Sequence, residues 1–307
     1  MKALITPRSF GKTDPEVFEI LKKTGLELVW NDTGSILNKA QMKKMLENCD
    51  GIIVGVDPLD ADIIETSPKL KAIAKYGVGV DNIDLTAAEK HGIKVSRTTG
   101  ANSDAVADYT MALMLSVARK VLQIDAGCRN GDWKKITTID LNHKTIGIFG
   151  LGAIGKLVAK RAQGFDMKVL AYDVCWDSQY ADQHRIEKAE PEEIFRQADF
   201  ISLHLPLTPE TRDFVGTYEI SLMKPTAIFV NTARGEIVNE DALLAALQEG
   251  KIYGAGIDAF REEPPANKAW FELENVVIGS HCAASTVGAI ENMGRNAAWN
   301  LIRDLGL

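Results

Sequence analysis

Short apolar runs alternate with amphipathic, helix-like stretches from one end of the chain to the other. That alternation predicts an α/β fold with parallel sheets. The apolar runs predict strands at Lys2–Thr6, Leu26–Trp30, Gly51–Val54, Ala72–Lys75 and Lys94–Val95. A second series follows at Thr145–Phe149, Lys168–Tyr172, Phe200–Leu203, Ala227–Val230, Gly254–Ile257 and Val276–Gly279. Most are rich in Ile, Val and Leu, as strands covered on both faces should be. Helices are expected between them, for example over Pro15–Lys23 and Lys39–Asn48. A longer one is expected over Ser103–Ala118, where Ala105, Val106, Met111, Leu113, Leu115 and Val117 leave more than one side apolar. Such a helix is buried between layers or between subunits. A last helix is expected from Val287 to about Asp304.

The two series read as two domains. Thr98-Thr-Gly-Ala101 interrupts the pattern and marks the first boundary, and a second crossing is expected just after His281. The expected organisation is one domain of residues 1–99 plus 284–307, with residues 100–283 forming the other. The 307 residues, 46% hydrophobic and 25% charged, suffice for two ordinary cores. A formal charge of −7 argues against general affinity for nucleic acid or anionic membranes, though not against a local basic pocket. Cys49, Cys128, Cys175 and Cys282 form no CxxC pair and suit neither a zinc site nor a disulfide framework. Free thiols fit a reducing compartment. The apolar N-terminal run is too short for a signal peptide, and no stretch is apolar for the length of a bilayer. A cytoplasmic protein without metal is the expectation.

The strongest local signal is Gly150-Leu-Gly152-Ala153-Ile154-Gly155, which follows the strand Thr145–Phe149 and opens a helix. Alone, G-x-G-x-x-G is weak. In this setting Gly150 permits a tight turn, Gly152 lets the backbone approach a pyrophosphate, and Gly155 lets helix and strand pack closely. The helix N-terminus favours the phosphate charges. The next strand ends at Asp173, 23 residues after Gly150, the spacing of an acid that binds a ribose. Val174, Cys175 and Trp176 offer no cation for a 2′-phosphate, so NAD rather than NADP is expected.

Nicotinamide chemistry at a carbonyl or hydroxyl requires a proton carrier, a cation to polarise the oxygen, and a group that tunes the proton carrier. Among five histidines, His281 follows the strand Val276–Gly279 and His204 follows Phe200–Leu203. Arg234 follows Ala227–Val230, and Glu263 lies past Gly254–Ile257. Arg234, Glu263 and His281 thus leave three successive strand ends, where open α/β sheets bind ligands.

Six segments carry a wider likeness. They are Gly77-Val-Gly-Val-Asp-Asn-Ile-Asp84, the glycine turn at Gly150, His204-Leu-Pro-Leu-Thr-Pro-Glu-Thr211, Asn231-Thr-Ala-Arg-Gly235, Asp258-Ala-Phe-Arg-Glu-Glu-Pro264 and His281-Cys-Ala-Ala-Ser-Thr286. In these, spanning nearly the whole chain in order, the protein resembles the D-isomer-specific 2-hydroxyacid dehydrogenases, which include D-3-phosphoglycerate dehydrogenases. The resemblance implies two doubly wound parallel-sheet domains, a Rossmann NAD-binding domain inserted into a flavodoxin-like substrate-binding domain. It implies an NAD-dependent oxidoreductase acting on a small anionic D-2-hydroxy or 2-keto acid. His281 becomes the general acid/base, Glu263 the partner of its far ring nitrogen, and Arg234 the ligand of the substrate carboxylate and carbonyl. The backbone at Val78 and Gly79 would grip the carboxylate. The implied cofactor set is Val106, Gly150, Gly152, Ala153, Ile154, Gly155, Asp173, His204, Leu205, Pro206, Thr232, Ala233, Asp258, Ala283 and Ala284, with Asp258 on the nicotinamide amide.

Candidate substrates are D-3-phosphoglycerate and glycerate or hydroxypyruvate. Lys75 stands where phosphoglycerate-specific relatives place a basic residue, but Gly55 stands where another is common. Phosphite-oxidising relatives carry a lysine in place of Val78. The chain stops at Leu307, so control through an added regulatory domain is not expected. Some relatives are NAD(H)-sensing corepressors, a second class in which the three polar residues persist. The apolar helix from Ser103, with the segment to Trp133, suggests a homodimer.

Overall fold

The computed structural model describes all residues, 1–307. The chain divides into two compact units, Met1–Asn102 with Ser285–Leu307, and Ser103–Ala284.

The first unit holds five parallel strands: β1 (Lys2–Ile5), β2 (Glu27–Trp30), β3 (Gly51–Val54), β4 (Ala72–Lys75) and β5 (Lys94–Arg97). Their order is β2-β1-β3-β4-β5, the flavodoxin-like winding. β3 and β4 are buried along their whole length, which is why their sequences are unbroken apolar runs rather than alternations. The C-terminal helix Val287–Leu305 packs on this sheet through Ala297, Ala298, Leu301 and Ile302. Gly51 makes room for it: a Cβ there would lie 2.7 Å from Leu301 Cδ1. Arg295 ties the same helix to Asp14 at 2.6 Å.

The second unit holds seven parallel strands: β6 (Thr145–Phe149), β7 (Lys168–Tyr172), β8 (Glu187–Lys188), β9 (Phe200–Leu203), β10 (Ile228–Asn231), β11 (Gly254–Ile257) and β12 (Val276–Ile278). Their order, β12-β11-β10-β9-β6-β7-β8, is the Rossmann winding, reversing direction between β6 and β9. Helix Ser103–Ala118 lies on this sheet, burying Ala107, Met111, Leu113, Met114 and Val117. Glycines in β11 permit the close approach, since a Cβ on Gly256 would meet Leu113 Cβ at 2.8 Å. On the other face Phe149, Phe195 and Phe229 are fully buried, and the first two stack at 4.7 Å. No helix is long and apolar enough to cross a membrane.

Candidate active site

β6 delivers the chain into the glycine turn. Gly150 adopts φ +94°, and a Cβ there would stand 2.6 Å from the His204 carbonyl oxygen. The turn therefore presses against the end of β9. A Cβ on Gly155 would lie 1.9 Å from Gly150 O, whereas one on Gly152 would meet nothing within 4 Å. Gly155 is thus required by the fold, and Gly152 faces open space. The open side is the start of helix Ala153–Gln163, whose first-turn N–H groups have no intrahelical acceptor. The N–H groups and the open approach beside Gly152 suit a pyrophosphate by charge. Ala153 is exposed and Ile154 half-buried beside it.

Asp173 follows β7. Its Oδ2 accepts from Leu151 N–H at 2.6 Å and its Oδ1 from Cys175 N–H at 2.7 Å. The carboxylate is thereby fixed against the glycine turn. Val174 beyond it is 84% exposed, and the nearby Lys156 is held by Asp177 at 2.6 Å.

His204 follows β9, with its Nε2 2.9 Å from Ser202 Oγ. Burial pushes its imidazole down to about 3, so it is neutral at ordinary pH. The unfolded chain takes up this proton near pH 6.5, and the folded chain resists it until about pH 3. The penalty is therefore absent above the unfolded value and grows as pH falls through it. Between pH 7 and 5 it amounts to roughly 2 kcal/mol. A His204→Gln variant is expected to lose less thermal stability than the parent over that interval. Parallel Tm-against-pH curves for the two proteins would refute this.

β10 ends in the buried Asn231, whose side chain organises the next three residues. Its Oδ1 accepts from Ala233 N–H at 3.0 Å and its Nδ2 donates to Arg234 O at 2.9 Å. Thr232 Oγ1 sits 3.0 Å from Thr110 Oγ1, and Thr110 in turn donates to Val106 O at 2.8 Å. Arg234 Nη1 donates to Ala233 O at 2.7 Å. Val106 is itself buried on the Ser103–Ala118 helix, Leu205 is half-buried, and Pro206 is exposed.

Asp258 follows β11 and is 1% exposed. Three successive N–H groups end on it. His281 N–H donates to its carbonyl at 2.9 Å, Cys282 N–H to Oδ1 at 3.0 Å, and Ala283 N–H to Oδ2 at 2.9 Å. Asp258 therefore shapes the loop after β12, and Ala284 continues from it. Tyr109 closes in from the Ser103–Ala118 helix: a Cβ on Gly279 would meet its hydroxyl at 2.8 Å. Burial first, then Cys282 and the charge of Asp258, push that phenol upward.

The resulting loop holds His281 at φ +56°, a region unfavourable to most side chains. There His281 Nδ1 lies 2.9 and 3.0 Å from the two oxygens of Glu263. Glu263 Oε1 also accepts from Phe260 N–H at 3.1 Å. Partial burial alone would raise the Glu263 carboxyl. The hydrogen bond and charge of His281, the Phe260 N–H and the nearby Arg234 outweigh it and hold the carboxyl below the usual range. Nδ1 is thus turned to the carboxylate, and the pair is exposed.

The residues that leave β6, β7, β9, β10, β11 and β12 at their carboxyl ends meet along one edge of this unit. The profile of the "D-isomer specific 2-hydroxyacid dehydrogenase, NAD binding domain" matches residues 111–283, more than half of the chain. The protein belongs to the D-isomer-specific 2-hydroxyacid dehydrogenase family. A glyoxylate reductase from Thermococcus litoralis is 42% identical over 283 residues, covering 89% of this chain and 86% of that one. A D-3-phosphoglycerate dehydrogenase from Methanocaldococcus jannaschii is 41% identical over 290 residues, covering 92% of this chain but 54% of that longer protein. Among solved structures, a D-lactate dehydrogenase from Aquifex aeolicus complexed with NAD and lactic acid superimposes with a TM-score of 0.85 at 30% identity, covering 97% and 93% of the two chains. As a member of this family the protein is an oxidoreductase that moves a hydride between a nicotinamide dinucleotide and a small 2-hydroxy or 2-keto acid.

The remaining candidates lie in the first unit, at the carboxyl end of β4. Gly77 has φ +130°, and its N–H donates to Thr98 Oγ1 at 2.9 Å. Val78 and Gly79 follow, half-buried, and their N–H groups donate to nothing within the protein. Lys75 is buried, and its Nζ donates to Gly55 O at 2.6 Å and Asn82 Oδ1 at 2.8 Å. Its ammonium is thus turned into the turn that carries Val78 and Gly79, an arrangement its position next to Tyr76-Gly77 did not reveal. Asn231 and Thr110 were also unanticipated. An Asn at a strand end, already present in the Asn231–Gly235 segment, was the signal available for the first.

Proposed function

We propose that this protein is an NADH-dependent reductase of small, unphosphorylated 2-keto acids such as glyoxylate or hydroxypyruvate. The observation that carries the reading is the Glu263–His281 pair at 2.9 Å, with Arg234 close enough to lower the Glu263 carboxyl. The glycine turn at Gly150–Gly155 and Asp173 would hold NADH, which would supply the hydride for the carbonyl carbon. Arg234 binds the substrate carboxylate and polarises the carbonyl; the Val78 and Gly79 N–H groups are a separate carboxylate-binding candidate on the first unit. His281 Nε2 donates the proton to the forming hydroxyl while Glu263 holds Nδ1 and stabilises the imidazolium. In the oxidative direction the same nitrogen accepts that proton.

Asp173 supports NAD over NADP, because its fixed carboxylate accepts ribose hydroxyls and repels a 2′-phosphate. Gly55, with no base at that position, argues for a substrate without phosphate. Asp258 and Thr232 would line the nicotinamide end, His204 and Leu205 the middle of the dinucleotide. A homodimer is supported by the exposed apolar residues Val121, Leu122, Trp133 and Ile136, of which Trp133 is 81% exposed. The free cysteines suit a cytoplasmic setting.

Steady-state oxidation of NADH and NADPH against glyoxylate, hydroxypyruvate, phosphohydroxypyruvate and pyruvate tests the reading. The highest kcat/KM is expected with NADH and one of the first two acids. A preference for NADPH would reject the role of Asp173, and a preference for phosphohydroxypyruvate would reject the substrate class. Slow turnover on every acid with tight NADH binding would point instead to a sensor.

A further inference from the structure

Arg261 lies two residues before Glu263, outside the groups considered above. Its backbone N–H donates to Glu240 Oε1 at 2.6 Å. Its guanidinium reaches Val238 O through Nε at 3.2 Å and Nη2 at 2.8 Å, and Nη2 also pairs with Asp213. These three partners belong to one piece of structure. Val215 bridges to Val238, Asp213 N–H donates to Glu236 O at 2.9 Å, and Asn239 N–H donates to Val215 O at 2.9 Å. The second of its two segments begins at Gly235, the residue after Arg234. A Cβ on Gly235 would lie 2.1 Å from Phe260 C and 2.2 Å from Arg261 N, so the two backbones are in direct contact. Phe260 in turn donates its N–H to Glu263 Oε1 at 3.1 Å. The loop carrying Glu263 is therefore fastened, at Arg261, to the segment that leaves Arg234.

We propose that Arg261 is a positioning residue for the reaction: through Val238, Glu240 and Asp213 it sets the spacing between Arg234 and the Glu263–His281 pair without touching substrate. The inference rests on the roles given above to those three residues. An Arg–Asp pair this exposed contributes little to stability. The spacing of reacting groups is far less forgiving, since a misplacement of about 1 Å can cost about 100-fold in rate. Loss of Arg261 should therefore register in turnover rather than in melting temperature.

The test uses the full chain with NADH and glyoxylate or hydroxypyruvate, comparing Arg261→Met, Arg261→Lys and Asp213→Asn with the parent. Arg261→Met is expected to lower kcat by about tenfold or more and to shift the alkaline limb of the kcat/KM profile, where the proton-donating form of His281 is lost. The Kd for NADH from fluorescence titration and the Tm should stay close to parental. Arg261→Lys should recover part of the loss, because an ammonium still reaches Val238 O. Asp213→Asn should fall between, and adding it to Arg261→Met should cost little more. Parental kcat and pH profile in Arg261→Met, in a protein that His281→Ala inactivates, would overturn the positioning role and leave the site reading standing. Near-normal turnover in His281→Ala would overturn the site reading itself. If Arg261→Met fails to fold, parental kinetics in both Arg261→Lys and Asp213→Asn would dispose of the proposal.

Discussion

Replacing His281 with alanine is expected to lower turnover on a 2-keto acid by about 10²- to 10⁴-fold, the range for losing a positioned proton donor. The loss should appear in kcat and in kcat/KM alike, because the proton moves only in the transition state. NADH affinity should change little, since no backbone bond to Asp258 is removed. A second readout follows from the electrostatics. His281 is the chief influence holding the Glu263 carboxyl low against its burial. Without the imidazole, that carboxyl should titrate at higher pH, which carboxyl NMR can follow. In the parent, a depressed carboxyl contributes stability above the ordinary glutamate range and loses it as pH falls through the folded value. The variant should lack that contribution. Near-parental turnover, or an unmoved Glu263 titration, would contradict the assignment.

The second large effect is expected at Gly155. A Cβ at 1.9 Å from Gly150 O and 3.0 Å from Gly150 C meets backbone rather than the far end of a flexible side chain. Gly155→Ala must push the helix away from the turn. Overpacking of this kind costs about 1–3 kcal/mol, or roughly 2–4 °C in Tm per kcal/mol for a unit the size of Ser103–Ala284. NADH binding should weaken as well, since the helix N-terminus moves off the phosphate position. Gly152→Ala is the matched control. Its Cβ touches nothing in the protein, so its Tm should stay parental while NADH binding weakens through contact with the dinucleotide. Calorimetry and fluorescence titration on both variants distinguish the cases. A Gly152→Ala protein that bound NADH normally would show that the open space beside residue 152 is not where the phosphates lie.

Most strands are legible because they are buried apolar runs, although β2 and β5 have exposed ends and only partly buried centres. Gly51–Val54, Thr145–Phe149 and Gly254–Ile257 stand where the pattern places them. β8 was not readable: Glu187–Lys188 is a two-residue edge strand with both side chains exposed, and it carries no apolar signal. Val276–Gly279 was read one residue long because Gly279, though paired through its N–H to Ile257 O, has already turned toward Tyr109 and Asp258. At the site, residues at strand ends could be found from the motifs that follow each strand. Contacts across large sequence separations could not. Thr110 meets Thr232, Lys75 meets Gly55 O, and Arg261 meets Asp213, and each pairing depends on sheet order rather than on neighbouring residues. The inward turn of Lys75 is the clearest case: the sequence offers the last residue of β4 as a base for the substrate, and only the structure shows its ammonium on the Gly55 carbonyl and Asn82.

The left-handed backbone at residue 281 sets folding and chemistry against each other. Glycine or asparagine suits such a dihedral better than imidazole does, so a library selected at that position for thermal resistance alone should drift toward those residues and discard the dehydrogenase. Selection for growth on a hydroxy acid should retain histidine at a small cost in robustness, which makes the position a direct gauge of which pressure a homologous sequence has been under.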